Sequence, residues 1–173
     1  MDSQNGSKKL KQQIESLRSS NKSAILVTLE ELRSEGDISV LPELFNLMLV
    51  QEDEEIFNNT VSLLNDLKNK EAAEILVEAI ADPEYEKILT YLVAACWQNG
   101  LSYGKYISTF VEVVVAGEYT ASIEAFTVIE EAVGELEPEE RQALVRTLKN
   151  KLKDFQDQKR PLVEELIKTI ESY

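Results

Sequence analysis

Two residues that could support covalent chemistry are adjacent near the middle of the chain. Cys96 and Trp97 are the only cysteine and the only tryptophan of the sequence, and they end an apolar run in the stretch YLVAACWQNGLSYGKY. A reactive thiolate needs a nearby base or cation. The chain has no histidine, and the preceding cation, Lys87, lies more than two helical turns away. On a helix over 84–99, Cys96 falls on the apolar stripe, so we expect a buried, inert thiol.

The tryptophan is interpreted as a packing residue at the edge of the same stripe. A buried indole N–H needs an acceptor, and we expect one near Gly100 or Ser102. Asn99 and Gly100 form a turn signal between two predicted helices, and we assign them no further role.

Carboxylates are the other residues that could carry chemistry. Because histidine is absent, the usual general base, the Ser-His and Cys-His pairs and most zinc sites are excluded. Glu124 and Glu131 lie two helical turns apart and could form an acid pair, but no neighbouring pattern would position a substrate. The sequence therefore predicts a protein that is not an enzyme and that uses no cofactor or metal.

The charge of the chain favours a basic partner. The net charge is −14, and residues 37–136 hold 19 acidic and four basic side chains. Such a surface repels the phosphates of nucleic acids and of anionic membranes. We expect a protein partner with a basic surface, no nucleic acid and no membrane; plain solubility is the alternative explanation of the charge.

Length and hydropathy indicate a cytoplasmic protein. A chain of 173 residues suits one domain. The longest apolar stretch, 88–97, is half of what a membrane span needs, and the N-terminus has no apolar core of the signal-peptide type.

Helical periodicity dominates the sequence. In YISTFVEVVVAG the apolar residues recur at helical spacing. Pro83 and Pro138 each follow an acidic residue at a predicted helix start, and Gly36, Gly100 and Gly117 each close a helix, where a left-handed residue is needed. We predict ten helices, over residues 8–19, 22–35, 39–50, 54–69, 70–81, 84–99, 103–116, 119–134, 138–157 and 161–172.

The helices recur with a period of 31 to 35 residues. A step of 31 relates helices 39–50 and 54–69 to the pair that follows. A step of 35 leads to the next pair, where the register slips, because Thr127 and Glu130 stand at apolar positions. A pair of this length cannot bury its apolar side alone, so we expect stacked pairs that share a core. The positions matched at 31 are Leu44, Phe45, Leu49, Phe57, Val61 and Leu64 with Ile75, Leu76, Ile80, Ile88, Leu92 and Ala95.

Two of these units resemble HEAT repeats. GDISVLPELFNLMLVQEDEEIFNNTVSLLNDL and KEAAEILVEAIADPEYEKILTYLVAACWQNG each pair two helices across an acidic turn, and AACWQNGL and IEAFTVIEE are similar to segments of bacterial HEAT-like proteins. The resemblance implies an all-α, right-handed α-α superhelix (solenoid) of about four to five antiparallel helix pairs. It implies a single domain over 1–173, with an N-terminal cap helix in 1–21, HEAT-like repeats in 22–134 and a capping helix pair in 137–173.

The last pair has the polar outer side that a terminal repeat needs. One side of its first helix is predicted to be apolar and the others charged. The apolar positions are Val145, Leu148, Leu152 and Phe155, and the charged ones are Lys149, Lys151, Lys153 and Asp154.

The HEAT resemblance also implies that the second helix of each pair lines a concave, partner-binding surface. Opposite their apolar stripes these helices carry polar side chains, although ordinary solvation would produce the same pattern. The candidate partner-binding residues are Ser62, Asn65, Asp66, Tyr91, Gln98, Glu124, Thr127 and Glu131.

Three functions of different classes follow from these observations. The expected one is a non-catalytic protein- or peptide-binding scaffold with an acidic central surface. An alternative is an immunity-type or inhibitor protein that neutralises a basic enzyme such as a nuclease. A second alternative, a carboxylate-dependent helical-repeat lyase, would depend on Glu124.

Overall fold

The protein is built from helices throughout the part that can be described. A computed structural model describes residues 2–35, 37–154 and 158–173; these residues form ten α-helices and five short 3-10 segments and contain no strand, which confirms the all-α prediction. The helices are α1 (Asp2–Leu17), α2 (Lys22–Glu35), α3 (Leu41–Val50), α4 (Glu54–Asn65), α5 (Ala72–Ala81), α6 (Leu89–Asn99), α7 (Ile107–Ala116), α8 (Tyr119–Ala132), α9 (Pro138–Lys151) and α10 (Arg160–Glu171).

The even-numbered helices form a row. Helix α2 packs on α4, α4 on α6, α6 on α8, and α8 on α10. The odd-numbered helices lie against them: α1 contacts α2 and α3, α5 contacts α6 and α7, and α9 contacts α10. The buried apolar side chains of the described residues form one connected core. Helices α4, α6 and α8 therefore each have a row neighbour on both sides and one side that points away from the core. No helix in the described residues combines the length and apolarity that crossing a membrane requires.

The burial pattern repeats along the row, but not at the predicted steps. In α4 the buried residues are Ile56, Thr60, Leu63 and Leu64, whereas Phe57 and Val61 are half-buried. The buried positions of α4 therefore match Ile88 and Leu92 of the next repeat at a step of 32, not 31. The step from α6 to α8 is 33, not 35. It pairs Leu92 with Ala125, Ala95 with Val128 and Cys96 with Ile129, all of which are buried. The predicted slip at Thr127 and Glu130 was wrong, because the step had been set two residues too long.

Helix starts agree with the predicted signals, with one recurring difference. The Asp53 carboxylate accepts hydrogen bonds from the backbone N–H groups of Glu55 (3.0 Å) and Ile56 (3.2 Å), which caps α4. Three predicted helices, however, begin as 3-10 turns and become α-helical only afterwards. These turns are Ile38–Val40 before α3, Pro83–Ile88 before α6 and Gly104–Tyr106 before α7.

Other boundaries differ where the sequence carries no apolar period. Helix α1 begins at Asp2 instead of residue 8, and its exposed residues 6–9 take no part in the core that the periodicity detects. Helix α4 ends at Asn65, four residues early, because the N–H of Asp66 closes on the last-turn carbonyls. Helix α9 was predicted to extend to residue 157. It ends at Lys151 and is followed by a 3-10 turn over 152–154. Gly36 and Phe155 lie outside the described residues.

Two of the glycines predicted to close helices do so in different ways. Gly100 ends α6 in the left-handed region, with φ of 67°, as predicted. Gly117 ends α7 with φ of −71° and ψ of 171°, which is extended backbone, so the expectation of a left-handed residue was wrong there. Its role is steric instead: a Cβ on Gly117 would stand 2.7 Å from the carbonyl oxygen of Val113.

The Gly100→Ala change is expected to destabilise the protein by about 1 kcal/mol, because a Cβ is unfavourable in the left-handed region even where space is open around it. Urea unfolding followed by circular dichroism measures this cost. Gly6→Ala is the matched control: Gly6 is helical and has open space, so alanine should stabilise α1 by about 0.5–1 kcal/mol. Equal effects of the two changes would contradict the left-handed cap.

The last helix pair, α9 and α10, buries apolar side chains and exposes charged ones. Leu148 is fully buried, Val145 and Leu152 are half-buried, and the lysines of this segment are exposed: Lys149, Lys151 and Lys153.

A lysine just before α10 ties this unit to α7. The Lys159 ammonium donates to the carbonyl oxygens of Val114 (3.3 Å), Val115 (3.5 Å) and Gly117, which are the last carbonyls of α7. Burial lowers the pKa of Lys159, and the charge of Glu118 opposes that shift.

Candidate functional site

Seven of the eight predicted partner-binding residues lie on three neighbouring helices, and the eighth, Asp66, directly follows α4. The seven occupy the outward side of α4, α6 and α8, opposite the buried side chains. None of these three helices contains a lysine or arginine. We call this surface the α4–α6–α8 face. Equivalent positions of the three helices carry short side chains, which are Ser62, Ala94 and Thr127. The face also carries longer side chains, which include Tyr91, Gln98, Glu124 and Glu131.

A cation from α2 covers the outer edge of the face. The Arg33 guanidinium forms an ion pair with Asp66 and donates a hydrogen bond to the hydroxyl of Ser62, 3.3 Å away. Two of the predicted residues are therefore occupied within the chain. Sequence reasoning missed Arg33, whose 33-residue separation from Asp66 is one repeat and could have indicated the pair.

Helices α4 and α6 are joined by a pair of amides and a pair of rings. The Asn65 amide nitrogen donates to the Gln98 side-chain oxygen at 2.8 Å. The rings of Phe57 and Tyr91 meet edge to face, with centroids 4.9 Å apart and planes at 80°. Tyr91 remains 43% exposed and is therefore accessible to a partner. Of the predicted residues on these two helices, Tyr91 is the exposed aromatic group.

Helices α6 and α8 are joined through the tryptophan. The Trp97 indole N–H donates to Glu124 Oε2 at 2.7 Å, so the expected acceptor near Gly100 or Ser102 was wrong. The acceptor comes from the neighbouring helix because the indole lies at the edge of the α6 stripe that faces α8. Glu124 is therefore held by an uncharged donor within the face.

The remaining predicted residues of α8 differ in their surroundings. The Thr127 hydroxyl donates to the carbonyl of Ile123 in its own helix, at 3.3 Å. Glu131 is exposed and borders a cavity of about 180 Å³ that Cys96, Trp97 and Tyr103 also line. No partner is recorded for its carboxylate in the described residues, so Glu131 is the acid of the face best placed to meet a cation.

A second carboxylate at the end of α8 holds the connection after α6. Glu135 Oε2 accepts from the Ser102 hydroxyl at 2.5 Å and from the Gly104 N–H at 3.2 Å. Glu135 was not among the residues predicted from the sequence, since helical spacing does not reveal a carboxylate that reaches across to a connecting segment.

Cys96 is buried, as predicted. It is 1% exposed, and its thiol donates to the Leu92 carbonyl at 3.3 Å. Burial raises the pKa of the thiol to about 12, while a hydrogen bond with Tyr103 acts in the opposite direction. A thiol of this kind is a packing group and not a nucleophile at neutral pH.

Asn99 does more than mark a turn. Its side chain is buried; the amide nitrogen donates to the Tyr103 hydroxyl at 3.0 Å, and the amide oxygen accepts from the Leu101 N–H at 2.9 Å. Burial also raises the pKa of Tyr103. The expectation that Asn99 has no role beyond the turn was wrong, because the connection folds back over the end of α6 and buries the amide.

No cluster of three or more histidine, cysteine or acidic side chains that could hold a metal ion occurs in the described part of the chain. Comparison of the chain with family models and with curated proteins gives no match.

Proposed function

We propose that this chain is a HEAT-like, right-handed superhelix of helix pairs that acts as a non-catalytic scaffold for a protein or peptide partner. Two facts support the architecture: the even-numbered helices pack side by side, and each consecutive odd–even pair is in contact. The partner is expected to have a basic surface and to be met in the cytoplasm.

One observation is the main support for the proposed function. Three adjacent helices, α4, α6 and α8, present an outward side without a single lysine or arginine, and Tyr91 of the middle helix, α6, is 43% exposed. Exposed tyrosines that pack against a second ring are good anchors, because little side-chain entropy is lost on binding. Glu131 supplies an exposed carboxylate on the neighbouring helix α8. The combination suits a partner that offers an apolar or cationic side chain to Tyr91 and a lysine or arginine to Glu131.

An inhibitor of a basic enzyme is the second candidate, and the charge of the chain favours it. Residues 37–136 carry 19 acidic and four basic side chains, and such an excess accelerates encounter with a basic protein. The two candidates differ in their response to salt. Inhibitor binding driven by charge should weaken steeply as ionic strength rises, whereas binding anchored by Tyr91 should weaken little.

We do not propose catalysis by Glu124. Its carboxylate accepts the indole N–H of Trp97, which gives it a structural role in joining α6 to α8. A lyase reading would require an activity that Glu124→Gln abolishes, although glutamine keeps an oxygen acceptor for the indole.

Affinity capture from the native lysate, at low and at high salt, tests the proposal. We expect a discrete partner whose affinity, remeasured with the purified protein by calorimetry, falls at least about tenfold with Tyr91→Ala and by a similar factor with Glu131→Lys. Matched controls are Tyr173→Ala, another exposed tyrosine, and Glu78→Lys, another exposed glutamate, outside the face. Equal losses with the controls would contradict binding through this face.

A further inference from the structure

A second candidate binding surface lies among the odd-numbered helices, which form the other layer of the fold. A groove of about 370 Å³ runs between α5, α7 and the 3-10 turn Pro83–Ile88. Its floor is apolar and is formed by Ile80, Leu89 and Val113, of which Ile80 and Val113 are each 7% exposed. The groove shares no residue with the candidate partner-binding set of the α4–α6–α8 face. Its volume suits one or two side chains of a bound segment.

The rim of this groove carries charge of one sign. Its ionisable residues are three exposed carboxylates, Asp82, Glu86 and Glu112, and none of the residues that line it is a lysine or arginine. Asp82 uses one oxygen to cap the 3-10 turn, by accepting from the Glu84 N–H at 2.9 Å. Two helices also end at the groove, α5 at Ala81 and α7 at Ala116, and the C-terminal end of a helix attracts cations.

The chain itself places a lysine at one of these two helix ends. The Lys159 ammonium reaches the last carbonyls of α7, including that of Gly117, a residue that lines the groove. The burial pattern of α7 repeats that of α5 at a step of 34 residues, which matches Ile80 with Val114. The C-terminal end of α5 therefore corresponds to the C-terminal end of α7, which already binds the Lys159 ammonium group.

We propose that this groove binds a lysine-bearing apolar segment of a partner protein, with an apolar side chain on the Ile80–Leu89–Val113 floor and an ammonium group at the carboxylate rim. An anionic segment, a nucleic acid or an acidic membrane would meet repulsion from the same rim. This site is separate from the α4–α6–α8 face and does not depend on the function proposed for that face. The protein would then hold a basic partner through both layers of its fold.

Two model peptides and the full chain test this inference. The first probe is a capped heptapeptide of sequence KLLKLLK, and the second has glutamate in place of each lysine. We expect the basic peptide to shift the amide NMR signals of Ala81, Thr109, Val113 and Ala116, and the acidic peptide to leave them unchanged. Combined charge reversal, Glu86→Lys with Glu112→Lys, should weaken the basic peptide at least about tenfold. Glu78→Lys, on the same helix as Ile80 but outside the groove, should change its affinity by less than about twofold.

Four outcomes would overturn the groove. The first is equal binding of the two peptides, and the second is an affinity for the basic peptide that the charge reversal leaves unchanged. The third is a set of amide NMR shifts confined to Ala94 and Thr127. The fourth is a change in the oligomeric state of the peptide-free chain when the two charges are reversed. The third outcome would leave the α4–α6–α8 face supported as a binding surface. The fourth would identify the occupant as a second copy of this chain. Circular dichroism of each variant establishes that the exposed substitutions leave the fold intact.

Discussion

A maleimide is expected to modify Cys96 at least about a thousandfold more slowly in the native protein than in denaturant. Two effects combine. The thiol is 1% exposed, so the reagent reaches it only when the protein opens. Burial also raises its pKa from 9.0 to about 12, which lowers the thiolate fraction at neutral pH by a factor of about a thousand. Labelling followed by mass spectrometry measures both rates.

An exposed cysteine provides the control for this experiment. Ser108→Cys, combined with Cys96→Ala, places the same thiol on the exposed side of α7, and it should react at similar rates in the native and denatured chains. Rapid, stoichiometric labelling of Cys96 in the folded protein at neutral pH would contradict the packing role and would reopen the enzyme hypothesis.

The raised pKa of the Cys96 thiol also predicts how the stability of the protein changes at alkaline pH. The folded state keeps the Cys96 proton more tightly than the unfolded state does, so the folded state binds more protons at pH values between the two pKa values. The free energy of unfolding should therefore fall as pH rises from about 9 towards 12. Cys96→Ala should remove the part of this fall that the thiol causes.

The Leu92→Ala change is expected to lower the free energy of unfolding by about 2–5 kcal/mol. Leu92 is 0% exposed, and it lies on α6, which packs against α4, α5 and α8. Neighbours from three helices cannot all move inward to fill the space that the missing carbons leave, so most of the cavity should remain. Urea unfolding followed by circular dichroism gives the value.

Ser62→Ala is the matched control for the loss of Leu92. Ser62 is exposed and accepts one hydrogen bond from Arg33 at 3.3 Å, so its loss should cost less than about 0.5 kcal/mol. Similar costs for the two substitutions would mean that the buried and outward sides of the helices had been assigned wrongly.

Side-chain contacts link neighbouring even-numbered helices through residues that were predicted to bind a partner. Asn65 bonds to Gln98, and Arg33 to Asp66, each across 33 residues, while Trp97 reaches Glu124 across 27. Polar side chains that were predicted to bind a partner thus contact neighbouring helices of the row. Fewer side chains of the α4–α6–α8 face are consequently left to bind a partner than the sequence predicted. The main ones are Tyr91 and Glu131.

The sequence by itself determined the helices and, apart from the one-residue offset in α4, the sides they bury. Ten helices were predicted and ten occur in the described residues, because apolar side chains at helical spacing must share one side whatever they pack against. The burial of Cys96 followed for the same reason: its place on the apolar stripe, together with the absence of histidine, was enough to predict an inert thiol.

Only the tertiary structure decided how neighbouring helices align and which side chains meet. A shift of one residue turns a helix by about 100°, so a repeat step of 31 instead of 32 exchanges Ile56 for Phe57 at the core. The acceptor of Trp97, the pairing of Arg33 and the groove between α5 and α7 all depend on that alignment. The packing of whole helices sets this alignment, and the spacing of residues within one helix does not show where the neighbouring helix lies.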